Sequence, residues 1–203
     1  SLLDTGEKGT LLIEAFFVTG GKQHDYSFHG LPYGEFSVQD SKLIREQKTG
    51  TVAGEDVELG ADIGRRGRSG YQYLAAPRFY EASDAPHFCW RSDDGINQDT
   101  WFPRVSFDEI VVADGKPPTG PGAPSSMPFI LLRHKGDSTQ TQSLFISITE
   151  AGKKVSNVKS VKPIRSVSPY AGGAIVELQS GSVWKIYING SDKPARFDDQ
   201  TES

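Results

Sequence analysis

Residues 10–30 read TLLIEAFFVTGGKQHDYSFHG, and their pattern sets the fold class. Thr10 to Val18 is a nearly continuous apolar run rich in aromatic and branched side chains, the pattern of a strand buried on both faces. Gly20-Gly21 supplies a turn. From Lys22 to His29 the side chains of His24, Tyr26 and Phe28 alternate with those of Asp25, Ser27 and His29. That period of two predicts a half-buried strand, and the two segments together predict a hairpin.

The same signature returns at Phe36–Val38, Lys42–Arg45, Tyr71–Leu74, His87–Arg91, Phe107–Val112, Phe129–Arg133 and Leu144–Ile148. It continues through Val158–Ile164, Ala174–Leu178 and Val183–Ile188. About ten or more short strands, separated by Gly, Pro, Asn and Asp, predict an all-β chain: an antiparallel β-sandwich, supersandwich-like, with little or no helix. The 22 glycines and 12 prolines suit many tight connections and argue against a helical bundle. Residues 1–191 read as a single sandwich domain. Lys116 to Ser126, KPPTGPGAPSS, is expected to be a long surface loop within it, because proline cannot donate to a sheet ladder and the strand spacing is the same on either side. Residues 192–203 read as a polar tail, expected to fray.

Composition narrows the function. A net charge of −4 gives no general attraction to nucleic acid or to anionic membrane, so neither is expected as a partner. Cys89 is the only cysteine, which excludes an intrachain disulfide and a cysteine-rich zinc site. No window approaches eighteen uninterrupted apolar residues, and Ser1-Leu2-Leu3-Asp4 has none of the features of a signal peptide, so a secreted parent would carry its address upstream. There is no G-x-S-x-G, H-E-x-x-H or phosphate loop, and no cofactor or metal is expected.

Four groups of side chains stand out. His24 to His29 offers a base, an acid and two possible metal ligands, but strand alternation puts His24 with Tyr26 and Phe28, and Asp25 with His29 about 13 Å away on the other face. Without a bulge the two histidines cannot share a metal. His24 and Tyr26 therefore read as core or rim residues with hydrogen-bonded tips, and Asp25 and His29 as candidate substrate contacts. Arg65, Arg66 and Arg68, set among glycines, fit either an anion site of bidentate guanidinium contacts or a solvated turn. Asp93 to Asp99 partly matches a calcium loop, but Gly95 falls where a third-position oxygen ligand is needed, so an Asx turn is expected. Trp101, beside Phe102, is the candidate sugar contact, against the simpler reading of packing; Trp184, alternating with Ile186 and Ile188, belongs to a core.

Two stretches resemble the bacterial heparinase II/III-like proteins. In that family an apolar D-x-F-R-V strand, a Gly-Gly turn and an H-D-Y-x-x-H-G segment follow one another, and here Phe17-Val18, Gly20-Gly21, His24-Asp25-Tyr26 and His29-Gly30 match while Ala15, Phe16 and Thr19 depart. SLFISITEAGKKVSNVKSVKPI and AIVELQSGSVWKIYINGSD are similar to the family's closing strands, with Glu150-Ala151-Gly152 where E-P-Y-x-G is usual. PFILLRHKG lies between them. The resemblance implies a polysaccharide lyase, periplasmic or extracellular, that cleaves acidic polysaccharide by β-elimination with a tyrosine and a histidine as base and acid. It places those residues in a helical toroid and first β strands upstream of this chain, so no catalytic residue is assigned here. The chain would then be a non-catalytic sandwich that supports the toroid and lines part of its substrate cleft. A stand-alone binding module for anionic glycans, and a small barrel enzyme using His24 and His29 with a metal, are the competing readings.

Overall fold

The computed structural model describes residues 1–5, 9–64, 69–117, 123–153 and 155–198, which contain no α-helix. Their strands, in chain order, are β1 (Leu2–Asp4), β2 (Thr10–Thr19), β3 (Gln23–Phe28), β4 (Glu35–Gln39), β5 (Leu43–Glu46), β6 (Leu74–Glu81), β7 (His87–Arg91) and β8 (Asn97–Trp101). There follow β9 (Glu109–Gly115), β10 (Met127–Lys135), β11 (Gln142–Gly152), β12 (Val158–Ser166), β13 (Ala171–Leu178), β14 (Val183–Asn189) and β15 (Phe197–Asp198). They form three antiparallel sheets, of order β1-β2-β11-β8-β7-β4, β3-β10-β9-β6-β5 and β14-β13-β12-β15.

The six-stranded sheet is the middle layer. Phe88, Trp90 and Phe145 on one of its faces pack with Ile110, Val112, Ile130 and Leu132 of the five-stranded sheet. On the opposite face Leu11, Trp101, Leu144, Ile146 and Ile148 pack with Val158, Val161, Ala174, Val176 and Leu178 of the four-stranded sheet. A third cluster, Leu74, Val111, Ala113 and Leu131, lies on the far side of the five-stranded sheet, against Val52, Tyr71, Phe79 and Phe129. The all-β sandwich expected from the period-two pattern is therefore present, as a stack of three sheets.

The doubly buried strand is β11, not β2. Every residue from Ser143 to Glu150 is buried, whereas Leu12, Phe16 and Phe17 of β2 are 38 %, 50 % and 38 % exposed. Strand β2 pairs with β11 on one side and with the three-residue β1 on the other, so it lies beyond the edge of the five-stranded sheet. Phe16 meets that sheet at its edge strand, ring to ring with Tyr26 at 5.7 Å.

The expected hairpin between β2 and β3 is likewise replaced by a crossing between sheets: β3 pairs with β10. Gly20 and Gly21 adopt φ of 91° and 84°, and their N–H groups donate to Thr141 and Thr139 carbonyls instead of closing a two-strand turn. Tyr71–Tyr73, read as strand, is a 3-10 turn, and β6 starts at Leu74. The Pro/Gly-rich segment connects β9 to β10, which pair directly from Gly115↔Met127 onward; residues 118–122 of it lie outside the described residues. Part of the expected tail is ordered, since Phe197–Asp198 pair with Arg165–Ser166 and the Phe197 ring packs on Tyr187 at 5.0 Å. No helix among the described residues is long and apolar enough to cross a membrane.

Candidate functional site

Strand alternation places His87, Cys89 and Arg91 on one face of β7, and the antiparallel register sets Cys89 opposite Asp99 of β8. The hairpin that fixes this register turns at Asp94, whose carboxylate accepts from Ser92 Oγ at 2.5 Å and from Ile96 N at 3.3 Å, with Gly95 at φ 83°. The expected Asx turn is thus a positioning element: it brings three donor types together at one point.

At that point His87 Nε2 lies 2.9 Å from Asp99 Oδ1 and 3.2 Å from Cys89 Sγ, and the Cys89 thiol donates to Asp99 Oδ1 at 3.2 Å. Arg91 Nη2 donates to the same oxygen at 2.7 Å, while Nη1 reaches the Trp90 and Gln98 carbonyls. Asp99 has a side-chain exposure of 4 % and His87 of 17 %. The imidazole lies flat on the Trp101 indole, 4.3 Å between centroids and 12° between planes. Burial alone would raise the Asp99 pKa, but hydrogen bonds from His87, Arg91 and Cys89 outweigh it and hold the carboxyl at about 2. Burial, then the hydrogen bond to Asp99 and that carboxylate's charge, push the Cys89 thiol up to about 12.

This composition is that of a nucleophilic triad, but the geometry is not. In a triad the imidazole bridges nucleophile and carboxylate through its two nitrogens, whereas here Nε2 faces both partners and Asp99 touches the thiol directly. A carboxylate against the sulfur keeps it protonated and weakly reactive. The three donor atoms lie within 4.8 Å of one another, which suits them to hold a metal ion.

Asp99 also lines a cleft of about 550 Å³ at the ends of β1, β2, β8 and β11. Its other polar walls include Asp4, Asn97, Glu150, Lys153 and Asn157. Glu150 is buried and held by Asn157 N at 2.8 Å, Asn157 Nδ2 at 2.9 Å and Ser156 Oγ at 2.5 Å. Three carboxylates face one lysine among the described lining residues. Such a wall disfavours an anionic sugar and favours a cation or a neutral polar ligand.

The residues singled out in the sequence lie elsewhere. Asp25 has a side-chain exposure of 5 %, and both its oxygens are taken by Arg133. His29 is exposed, with its ring 5.2 Å from Phe129. Trp101 is 6 % exposed and its ring lies against His87, inside the core between the central and four-stranded sheets. Arg65, Arg66 and Arg68 lie outside the described residues. His24 is buried as expected, with Nδ1 2.8 Å from Ser143 Oγ and Nε2 2.5 Å from the Gly20 carbonyl. The structure thus gathers none of these into the His87–Cys89–Asp99 cluster except Trp101, which supports it from below. No family model matches the chain, and no curated protein matches it.

Proposed function

We propose that this chain is a non-catalytic β-sandwich of a heparinase II/III-like polysaccharide lyase, bracing the helical toroid in which acid and base reside. The observation that carries the reading is the exposed, mainly apolar outer face of β1 and β2. Leu2 pairs with Leu12 in register and Phe16 follows two pleats on, so all three side chains share one face, at 75 %, 38 % and 50 % exposure, with the exposed Glu14 between Leu12 and Phe16 accepting from Ser147 Oγ. A strip of large apolar side chains beside a completed core is what a docking surface for a second body offers. The polar groups of β3 support the same division of labour, since His24 and Asp25 are committed to internal hydrogen bonds.

The test compares the isolated chain with the complete product of its gene on acidic polysaccharides. The complete protein is expected to generate unsaturated uronate absorbance and the isolated chain none, and amide exchange across Thr10–Thr19 is expected to be slower in the complete protein. Lyase activity in the isolated chain, or a reading frame with no helix-patterned segment before Ser1, overturns the proposal.

A further inference from the structure

We propose that His87, Cys89 and Asp99 form a binding site for a divalent transition-metal ion of the zinc type. The three donor atoms make a near-equilateral triangle with sides of 2.9, 3.2 and 3.2 Å. Tetrahedral zinc, with bonds of about 2.0–2.3 Å, sets its ligands about 3.3–3.6 Å apart. The triangle therefore needs to open by only a few tenths of an ångström to match one face of such a tetrahedron. A thiolate, an imidazole and a carboxylate together select zinc-like ions over magnesium or calcium, which take oxygen.

Charge and support agree with the geometry. One thiolate and one carboxylate balance the divalent ion and leave the Arg91 charge over; as the metal binds, the Cys89 proton leaves to solvent and the proton on His87 Nε2 is given up or moves to Nδ1, which frees both lone pairs. Arg91 stays hydrogen-bonded to Asp99, whose oxygen has a lone pair for each, and acts as the outer contact that orients a ligating carboxylate. Trp101 fixes the plane of the imidazole. The carboxylate-rich cleft that Asp99 lines favours entry of a cation. The site rests on sheet strands rather than loops, so its donors are held before any metal arrives.

The experiment uses the whole chain, reduced and stripped of metal, with Zn²⁺ alone in calorimetry and Co²⁺ alone as a spectroscopic substitute. The expected result is one ion per chain, a thiolate-to-cobalt charge-transfer band with strong visible bands of tetrahedral cobalt, and displacement of cobalt by zinc. Cys89→Ser should remove the charge-transfer band, and Asp99→Asn should weaken zinc binding about tenfold or more. The wild-type cobalt spectrum stands even if a variant fails to fold. Absence of saturable uptake by the wild type, or uptake with no thiolate band, as from a site such as His134–Asp108, overturns the proposal.

Discussion

Arg133 closes on both carboxylate oxygens of Asp25 across the β3–β10 register, at 2.9 and 3.0 Å. The pair is nearly dry, with side-chain exposures of 10 % and 5 %. Tyr71 and Gln23 add donors to the same carboxylate, and Glu109 takes the remaining arm of the guanidinium at 3.1 Å. Removing one partner leaves a buried charge. Asp25→Ala is therefore expected to cost about 3–5 kcal/mol, and the double change Asp25→Leu with Arg133→Met much less. Urea midpoints of the three proteins check this; equal losses from the single and double variants would contradict it.

The same network sets an alkaline limit. Burial first, then the hydrogen bond and charge of Asp25, push the Tyr71 hydroxyl from 10.0 up to about 12. The folded state then holds its proton more tightly than the unfolded state does. Its contribution is complete below pH 10 and is lost as pH rises from about 10 to about 12. Because Tyr71 is only partly buried, the loss is discounted to about 1–2 kcal/mol. Tyr71→Phe should flatten this part of the stability profile relative to wild type, measured as the difference between their urea midpoints at pH 9 and pH 11.5.

Gly30 shows why the last residue of the HDYSFHG segment is small. A β-carbon there would lie 2.5 Å from two atoms of the Trp90 ring, and Trp90 is 1 % exposed and unable to retreat. Gly30→Ala is expected to destabilise by about 1–3 kcal/mol through overpacking. The companion change Trp90→Leu should relieve the contact, so a thermodynamic cycle of the two should show coupling. Additive effects would show that the clash is absorbed elsewhere.

The sandwich was legible because alternation survives in most strands, but burial was misassigned where polar atoms are hidden by partners. In QSLFISIT, Ser143, Ser147 and Thr149 look solvent-facing, yet each is buried and bonded, to His24, Glu14 and Thr100. In TLLIEAFFV the apolar run is interrupted only by Glu14, although its outer face has no second layer. The metal-type cluster was hidden for another reason: Cys89 and Asp99 are ten residues apart and meet only through the register. A turn centred on Asp94 places 89 opposite 99 and 87 opposite 101, so the Asx signal at 93–99, read as a turn rather than a weak calcium loop, held the missing clue.

The outer strip supplies the last prediction. If Leu12 and Phe16 serve a second body rather than this core, the double change Leu12→Thr and Phe16→Thr keeps two β-favouring residues in the strand and gives up only partly buried area. Its expected cost to the isolated chain is about 1–2 kcal/mol, most of it from Phe16, which still touches Tyr26. Ile148→Thr, on the fully buried strand β11, is expected to cost more by itself, because it places a hydroxyl where nothing apolar can yield. In the complete protein the order should reverse: the β2 double variant should loosen the domain from its neighbour and restore fast amide exchange across Thr10–Thr19, while Ile148→Thr should lower stability without that local signature. Sedimentation velocity of the isolated chain gives a third comparison, since an exposed, mainly apolar face promotes weak self-association that the threonines should reduce. A double variant as unstable as Ile148→Thr in isolation would place Leu12 and Phe16 in the core and remove the basis for docking.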